Sequence, residues 1–200
     1  MATDKLKNIF LSASIPFKER HPQYYKTADI IAIRDSVIAL VTTVLPHFRL
    51  IWGGHPSITP IIYYVMDKLA LNVQEHVLLY QSEHFKKTFP EDNQHFQNII
   101  FTEDFGERNI SIEHMRTRMF QENHFDAAVF IGGMEGIEDE FKMFNDLFPK
   151  AISIPLASTG GAAKRIYDNS LSVELKDERF LRDYGYMSLF QELIIDKIKI

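Results

Sequence analysis

The sequence predicts an α/β fold, a Rossmann-like doubly wound and mostly parallel sheet with helices on both faces. Short apolar runs recur along the 200 residues, a turn signal follows each run, and a helical pattern usually comes next. Runs that are this short and lack polar alternation are typical of strands buried on both faces. Regular alternation of such strands with helices favours a parallel sheet with right-handed crossovers.

The apolar runs predict the strands. The run Phe48–Trp52, for example, ends in the turn residues Gly53-Gly54-His55-Pro56-Ser57. Because the carboxyl ends of parallel strands lie at one edge of a sheet, we expect these turns to meet at the edge where open α/β sheets bind ligands. The predicted strands cover residues 9–11, 48–52, 77–80, 99–101, 127–131 and 152–154.

Helical spacing of apolar residues predicts the elements between the strands. One helix runs from Ile30 to Val44 and stops before Pro46. Ser57 is expected to cap the next helix, in which Pro60 lies in the first turn, where a missing N–H costs little. Further helices are predicted at residues 110–121, 137–148 and 189–197, whereas residues 81–98 and 168–186 read as irregular.

Composition narrows the class of protein. With 46% apolar residues, the chain is expected to form one domain over residues 1–200. A formal charge of −5 and the lack of a Lys/Arg run argue against a dedicated nucleic-acid binder. No apolar run reaches membrane-spanning length, so we expect a cytoplasmic protein with no membrane partner. Sixteen phenylalanines and eight tyrosines indicate an aromatic-rich core, an aromatic ligand pocket or a subunit interface.

Several kinds of chemistry are excluded by the residues present. Without cysteine there are no disulfides, no thiolate nucleophile and no thiolate zinc site. The eight histidines show no HExxH or paired metal spacing, so we predict no metal and no cofactor. Neither a GxSxG elbow nor a GxxxxGK[ST] phosphate loop is present.

The segment DAAVFIGGMEGIEDEF, residues 126–141, is the most informative stretch of the chain. It predicts a strand, a glycine turn at Gly132, Gly133 and Gly136, and the start of an acidic helix. Backbone approaches a ligand closely at such a turn, and free N–H groups at the helix start favour an anion such as phosphate. Glu138 and Glu140 repel phosphate but suit ribose hydroxyls or a glycosidic carbon that gains positive charge. The alternative is a tight turn that binds nothing.

The helix predicted at 110–121 contributes a candidate cation. Its apolar residues Ile112, Met115 and Met119 point one way; at about 100° per residue Arg116 lies at the boundary of that face, and Arg118 lies further from it. Arg116 is therefore expected to reach over the sheet edge toward an anion, and Arg118 to face solvent. The alternative for Arg116 is a surface arginine whose stem covers apolar residues.

The remaining turns add polar candidates. Gly53 and Gly54 with free N–H groups at 57–59 resemble a phosphate cradle, in which His55 would act as acid or base or contact phosphate. A plain surface histidine is the alternative. The hydroxyls of Ser12, Ser14, Ser158 and Thr159 also follow strands. The residues expected to bind ligand are Ser12, Ser14, Gly53, Gly54, His55, Ser57, Arg116, Gly132, Gly133, Met134, Glu135, Gly136, Glu138, Glu140, Ser158 and Thr159.

A family resemblance rests on the order of these motifs. A helix with MRTRM, then a strand, then IGGMEGIEDEF, in a chain that opens with FLSAS, resembles the SLOG superfamily. This superfamily includes the lonely-guy phosphoribohydrolases, the DprA-like proteins and nucleotide-sensing domains of bacterial conflict systems, which this chain resembles most. Its hallmark is GGxGTxxE after a helix with an arginine. The resemblance covers roughly residues 8–166.

The resemblance implies a Rossmann-like fold, a nucleotide-derived ligand and roles for particular residues. Arg116 matches the family arginine that contacts phosphate or ribose, and Glu140 matches the family glutamate if one residue is inserted after the paired glycines. Two departures affect the hydrolase motif, because Ile131 replaces a proline before the glycines and Ile137 replaces the threonine after the third.

Two classes of function follow. The first is a sensor of a nucleotide or of an NAD- or ADP-ribose-derived signal in bacterial defence or stress, acting through a homo-oligomer or a partner. The second is an N-glycosidase, either a nucleotide phosphoribohydrolase or a deoxyribosyltransferase-like enzyme. In that case Glu140 and Arg116 would be catalytic.

Overall fold

The computed structural model describes residues 6–69 and 74–198. All strands predicted from the sequence are confirmed, and the structure extends several of them at their carboxyl ends. The extended ends carry polar residues, which keep their ladder bonds: Ser14 pairs with Gly132, and Ser82 pairs with Thr102. The strands are β1 (Asn8–Ser14), β2 (Arg49–Trp52), β3 (Val77–Ser82), β4 (Ile99–Thr102), β5 (Ala127–Gly132) and β6 (Ile152–Leu156).

The predicted helices are present, with shorter helical pieces among them. The stretches that read as irregular contain 3₁₀ turns at Glu83–Thr88 and Glu91–His95 and a short helix near residue 180. A π-helical segment, Gln191–Ile195, continues the last α-helix. The α-helices are α1 (Pro22–Tyr25), α2 (Ile30–Val44), α3 (Thr59–Leu69), α4 (Arg108–Glu122), α5 (Glu135–Leu147), α6 (Gly161–Asn169), α7 (Arg179–Arg182) and α8 (Tyr186–Phe190).

The sheet is parallel throughout, with the strand order β4-β3-β2-β1-β5-β6. The chain builds outward from β1 to β4 on one side and then crosses to β5 on the other. Right-handed crossovers place α2 and α3 on one face and α4 and α5 on the other, in agreement with the α2–α3 and α4–α5 contacts. The order therefore reverses between β1 and β5, which opens a crevice above their carboxyl ends.

An aromatic cluster holds α4 and α5 on the sheet. The ring of Phe10 in β1 stacks on Phe144 of α5 at 5.9 Å and meets the edge of Phe120 of α4 at 5.0 Å. Phe125 and Phe130 complete the cluster, and all five side chains are buried. Much of the high phenylalanine content thus belongs to the core, and the cluster fixes the two helices that flank the crevice.

No helix in the described ranges is long and apolar enough to cross a membrane. The most apolar of the long helices, α2, is instead packed against α3, α8 and the sheet.

The end of β5 is locked by Thr159, which is fully buried. Its Oγ1 accepts a hydrogen bond of 2.8 Å from the Gly132 N–H and donates one of 2.6 Å to the carbonyl of Leu156. Its own carbonyl accepts from the N–H of Asp29, the N-cap of α2. Thr159 therefore ties together the strand that precedes the glycine turn, the end of β6 and the start of α2.

We predict that Thr159→Val destabilises the fold by about 1–3 kcal/mol, because the isosteric side chain leaves the buried Gly132 N–H without an acceptor. Urea unfolding followed by circular dichroism measures the change. The control is Thr42→Val, whose hydroxyl only adds a second donor to a helical carbonyl at 2.7 Å and whose loss should change little. Equal unfolding midpoints for Thr159→Val and the parent would contradict this role.

Candidate functional site

A cavity of about 990 Å³ lies over the carboxyl ends of β1, β2 and β3 and is walled by α4 and α5; we call it the edge pocket. It is large enough for a dinucleotide-sized ligand. Since Gly53 and Gly136 both line it, the turns after β2 and β5 meet at one edge, as the sequence predicts. The predicted site residues that line it are Ser12, Ser14, Gly53, Gly54, His55, Arg116, Met134, Glu135, Gly136 and Glu140.

Other predicted site residues lie outside the edge pocket. The prediction that Glu138 faces the crevice is wrong, because this carboxylate is on the other flank of α5. There it accepts a hydrogen bond of 2.8 Å from the hydroxyl of Tyr24 and pairs with Arg165 at 2.8 Å. Burial and the nearby Glu138 raise the pKa of Tyr24 to about 12, so the phenol stays a hydrogen-bond donor to this carboxylate.

The third predicted turn is a structural junction. Ser158 lies 3.1 Å from the hydroxyl of Tyr186, and Thr159 is occupied by Gly132 and Leu156. Neither residue lines the edge pocket. In a sequence, a hydroxyl at the end of a strand that bonds to a neighbouring element cannot be distinguished from one that is available to a ligand. Ser158 and Thr159 were predicted to bind ligand for this reason.

Gly132 and Gly133 provide the backbone conformation of the turn after β5. Both have positive φ, 58° and 77°, and the N–H of Gly133 donates to the carbonyl of Ser14 at 2.8 Å. A Cβ at Gly133 would collide with the side chain of Ile137. These glycines therefore let β5 bend against the end of β1, and they do not line the edge pocket.

An ion pair between Arg116 of α4 and Glu140 of α5 forms the wall of the edge pocket. Arg116 Nε donates to Glu140 Oε1 at 2.9 Å, and Ser12 Oγ of β1 donates to Glu140 Oε2 at 2.5 Å. The two charged side chains are only 13% and 15% exposed. As predicted, Arg116 faces the sheet edge, whereas Arg118 pairs with Glu122 on the outer side of α4. Each oxygen of Glu140 thus accepts one hydrogen bond from the protein, and a carboxylate oxygen can accept a second.

Arg116 also holds the first turn of α5. Its Nη2 donates to the carbonyl of Gly136 at 2.9 Å, and its Nη1 lies 3.4 Å from the carboxylate of Asp139. A Cβ on Gly136 would lie 2.7 Å from Nη2, so the absence of a side chain there makes room for the guanidinium. A glycine is therefore suited to position 136, because the guanidinium of Arg116 comes close to its backbone.

The start of α5 offers unpaired N–H groups to the edge pocket. Within the described part of the chain, the amides of Met134, Glu135 and Gly136 donate to no protein acceptor. First-turn amides have no partner inside their own helix, and the helix dipole makes this end positive. Arg20 and Arg108 lie beside them, and we call these two side chains and the three amides the arginine corner.

Arg108 is the arginine of this corner that has no carboxylate partner among the described residues. Arg20 lies 3.9 Å from Glu135, and Arg116 is paired with Glu140, but no carboxylate among the described residues comes within 4.0 Å of Arg108. The surrounding protein lowers the pKa of Arg108, and repulsion from Arg20 and Arg116 lowers it further, although Glu135 opposes the shift. An anion bound at this corner would relieve that repulsion.

The turn after β2 is not the predicted phosphate cradle. The N–H groups of Ile58 and Thr59 donate to the carbonyl of His55, at 2.9 and 3.0 Å. The N–H of Ser57 donates to Nδ1 of His55 at 3.2 Å, and the Ser57 hydroxyl accepts from the Ile15 N–H rather than capping α3. The amides at 57–59 are therefore not free for a phosphate.

His55 is a neutral hydrogen-bonding group in this turn. Burial lowers its pKa to about 4, so at neutral pH it adds no positive charge. Because Nδ1 accepts from the Ser57 N–H and lies 2.8 Å from the Ser57 hydroxyl, the ring proton resides on Nε2. His55 lines the edge pocket, where Nε2–H is suited to donate to a ligand oxygen.

Sequence reasoning missed two groups of residues that line the edge pocket. Arg20 and Arg108 carry no motif, although Arg108 is the first residue of α4 and could be recognised as a helix-start cation. Gln81, Ser82, Phe85 and Phe89 come from the end of β3 and the segment after it, which reads as irregular. The aromatic residues in a polar stretch were the available signal. No cluster of three or more metal-ligating His, Cys, Asp or Glu side chains occurs among the described residues.

Comparisons with known proteins agree with this architecture. A family model described as the SLOG cluster3 family matches residues 23–194. Among solved structures, the chain is similar to TM1055, a structural-genomics target solved by X-ray crystallography, with a TM-score of 0.60 and 15% identity over 94% of this chain and 100% of that one. At this identity the likeness shows the fold alone. No curated protein sequence matches the chain.

We predict that His55 makes the stability of the protein depend on pH below neutrality. Its pKa is about 4 in the folded protein, against 6.5 for an unperturbed histidine, so between these values the unfolded chain binds more protons. The contribution of His55 to the free energy of unfolding is therefore fully present above pH 6.5. It falls as the pH drops toward 4, by up to about 1.4 kcal/mol per pH unit.

The matched variant is His55→Asn, in which Oδ1 can replace Nδ1 as the acceptor for the Ser57 N–H and nothing titrates. Urea unfolding at pH 7.0, 5.5 and 4.5 should show a weaker loss of stability in His55→Asn than in the parent. Parallel losses in the two proteins would mean that His55 is not protected from protonation.

Proposed function

The chain belongs to the SLOG cluster3 family, and we propose that it binds a nucleotide-derived small molecule in the edge pocket as a sensor. The observation that carries this proposal is the arginine corner, which lines the same cavity as Ser12 and Glu140; within the described residues its three amides have no acceptor and Arg108 has no carboxylate partner. Phosphate oxygens suit the amides and the guanidinium. Ribose hydroxyls suit the serine and carboxylate oxygens that adjoin them.

The mixed charge of the edge pocket favours a nucleotide over a simple polyanion. Glu135 and Asp139 line it beside Arg20 and Arg116, and the lining contains five carboxylates and four cations in all. A site selective for inorganic phosphate or polyphosphate would carry an excess of positive charge. The arrangement fits one or two phosphates attached to a sugar, as in nucleoside monophosphates, ADP-ribose and NAD.

The geometry of Glu140 supports a sensor over a hydrolase. A carboxylate that stabilises an oxocarbenium-like carbon acts through its negative charge. In this chain Arg116 compensates that charge at 2.9 Å, and Ser12 occupies the second oxygen. Ile137, which replaces the threonine of the hydrolase motif, brings an apolar side chain to the edge pocket. More specifically, the ligand-bound state would be read by a second copy or a partner in a defence or stress response.

We expect calorimetric titration with AMP, ADP-ribose and NAD to detect binding of at least one of them. Arg108→Gln should weaken that binding by about tenfold or more, because a hydrogen bond to a charged group is lost. The matched control is Arg118→Gln, on the same helix but paired with Glu122 outside the edge pocket, and it should bind as the parent does. Equal affinity of parent and Arg108→Gln would remove the arginine corner from the proposal.

Glu140→Gln separates sensor from enzyme, because it keeps the shape and removes the charge. We expect weaker binding and no release of free base from either parent or variant, as followed by chromatography of the incubated nucleotide. A thermal melt checks that the variant is folded. Steady release of base by the parent, abolished in Glu140→Gln while ligand still binds, would instead identify an N-glycosidase.

A further inference from the structure

The edge pocket has a second end, away from the arginine corner, at the carboxyl ends of β2 and β3. Phe85, from the 3₁₀ segment after β3, and Phe89, the residue that follows this segment, line it together with Trp52 of β2. The indole of Trp52 is fixed, since it is 2% exposed and its Nε1 donates to Thr59 Oγ1 at 3.2 Å. We call the three rings the aromatic end. Flat rings that border a cavity are suited to contact another flat ring.

Ser82, the last residue of β3, lies at this end with an unused hydroxyl. The residue is 1% exposed and lines the edge pocket, and its Oγ has no hydrogen-bond partner among the described residues. A buried hydroxyl without a partner costs about 1–3 kcal/mol, so such groups in folded proteins call for an explanation. A ligand atom that bonds to Ser82 would supply one.

We propose that the aromatic end receives the nucleobase of the ligand, with the ring against Phe85 and Phe89 and its polar edge bonded to Ser82 Oγ. This inference rests on the proposed function and extends it. It makes the ligand a heteroaromatic nucleotide, whereas the arginine corner alone would also accept a sugar phosphate. Base stacking on aromatic side chains contributes about 1–3 kcal/mol per base.

The sheet sets the order of the ligand's parts. Neighbouring strands lie about 4.8 Å apart, so the end of β3 is about 10 Å from the end of β1. A nucleotide lying across these strand ends would place its phosphate at the arginine corner, its ribose over Ser12 and Gly53, and its base at Ser82. All of these residues line the same cavity.

Trp52 is the only tryptophan of the chain, so its fluorescence reports on the aromatic end alone. We expect AMP, GMP, CMP or UMP to change this fluorescence on binding. Ribose 5-phosphate, which has the sugar and the phosphate but no base, should bind more weakly and leave the fluorescence unchanged.

Variants then test the contacts. Ser82→Ala should weaken binding of the best nucleotide about fivefold, the worth of one neutral hydrogen bond. Phe85→Leu should weaken it about tenfold through lost stacking. Neither change should alter the affinity for ribose 5-phosphate. Ser158→Ala, a buried serine outside the edge pocket, is the matched control and should leave both affinities unchanged.

Stability provides an independent readout, because Ser82→Ala should leave the unfolding midpoint equal or raised, whereas loss of a structural hydroxyl would lower it. The inference is overturned if parent, Ser82→Ala and Phe85→Leu bind the nucleotide equally, or if the variants weaken ribose 5-phosphate binding to the same degree. In either case nucleotide binding itself, and so the proposed function, would stand. A parent that binds none of the four nucleotides, ADP-ribose or NAD would overturn both.

Discussion

The ion pair between Arg116 and Glu140 is the constraint on which the edge pocket depends. It joins α4 to α5, and the hydrogen bond from Ser12 to Glu140 connects the pair to β1. In the sheet, β1 lies next to β5, where the strand order reverses. Removing one partner of a buried ion pair costs about 3–5 kcal/mol, since the other charge is left uncompensated. Because Arg116 also holds the carbonyl of Gly136, the same pair fixes the first turn of α5 and thereby the amides of the arginine corner.

This arrangement changes what each charged residue can do. Arg116, the arginine expected to grip phosphate, has hydrogen bonds to Glu140 and Gly136 and acts in this structure as a positioning residue. Arg108 has no carboxylate within 4.0 Å among the described residues and becomes the candidate phosphate ligand. An acidic protein with a formal charge of −5 can thus present a local cationic site, because pairing elsewhere in the described part of the pocket leaves the Arg108 guanidinium without a carboxylate partner. The same pairing reduces the charge that Glu140 could offer to a reacting carbon.

The fold was predictable because its determinants are local. Runs such as Ala127–Ile131 are apolar throughout, as strands buried on both faces require, and the helical spacing of Ile112, Met115 and Met119 correctly located Arg116. The site was only partly predictable, because hydrogen-bond partners come from distant parts of the chain. Thr159 looked free for ligand but is used by Gly132, 27 residues away, and the predicted cap Ser57 is used by Ile15, 42 residues away. The segment that carries Phe85 gave no periodic signal, so its place beside β2 and β3 followed only from the structure.

The most direct test of the account is a nuclear magnetic resonance titration of the ¹⁵N-labelled protein with ADP-ribose. Phosphate bound at the arginine corner would hydrogen-bond to the amides of Met134, Glu135 and Gly136. These resonances should therefore show the largest shifts, and the shifts should be lost in Arg108→Gln. Saturating ADP-ribose that leaves all three amides unmoved, or that perturbs mainly the turn at Gly160 and Gly161, would contradict a nucleotide site at the edge pocket.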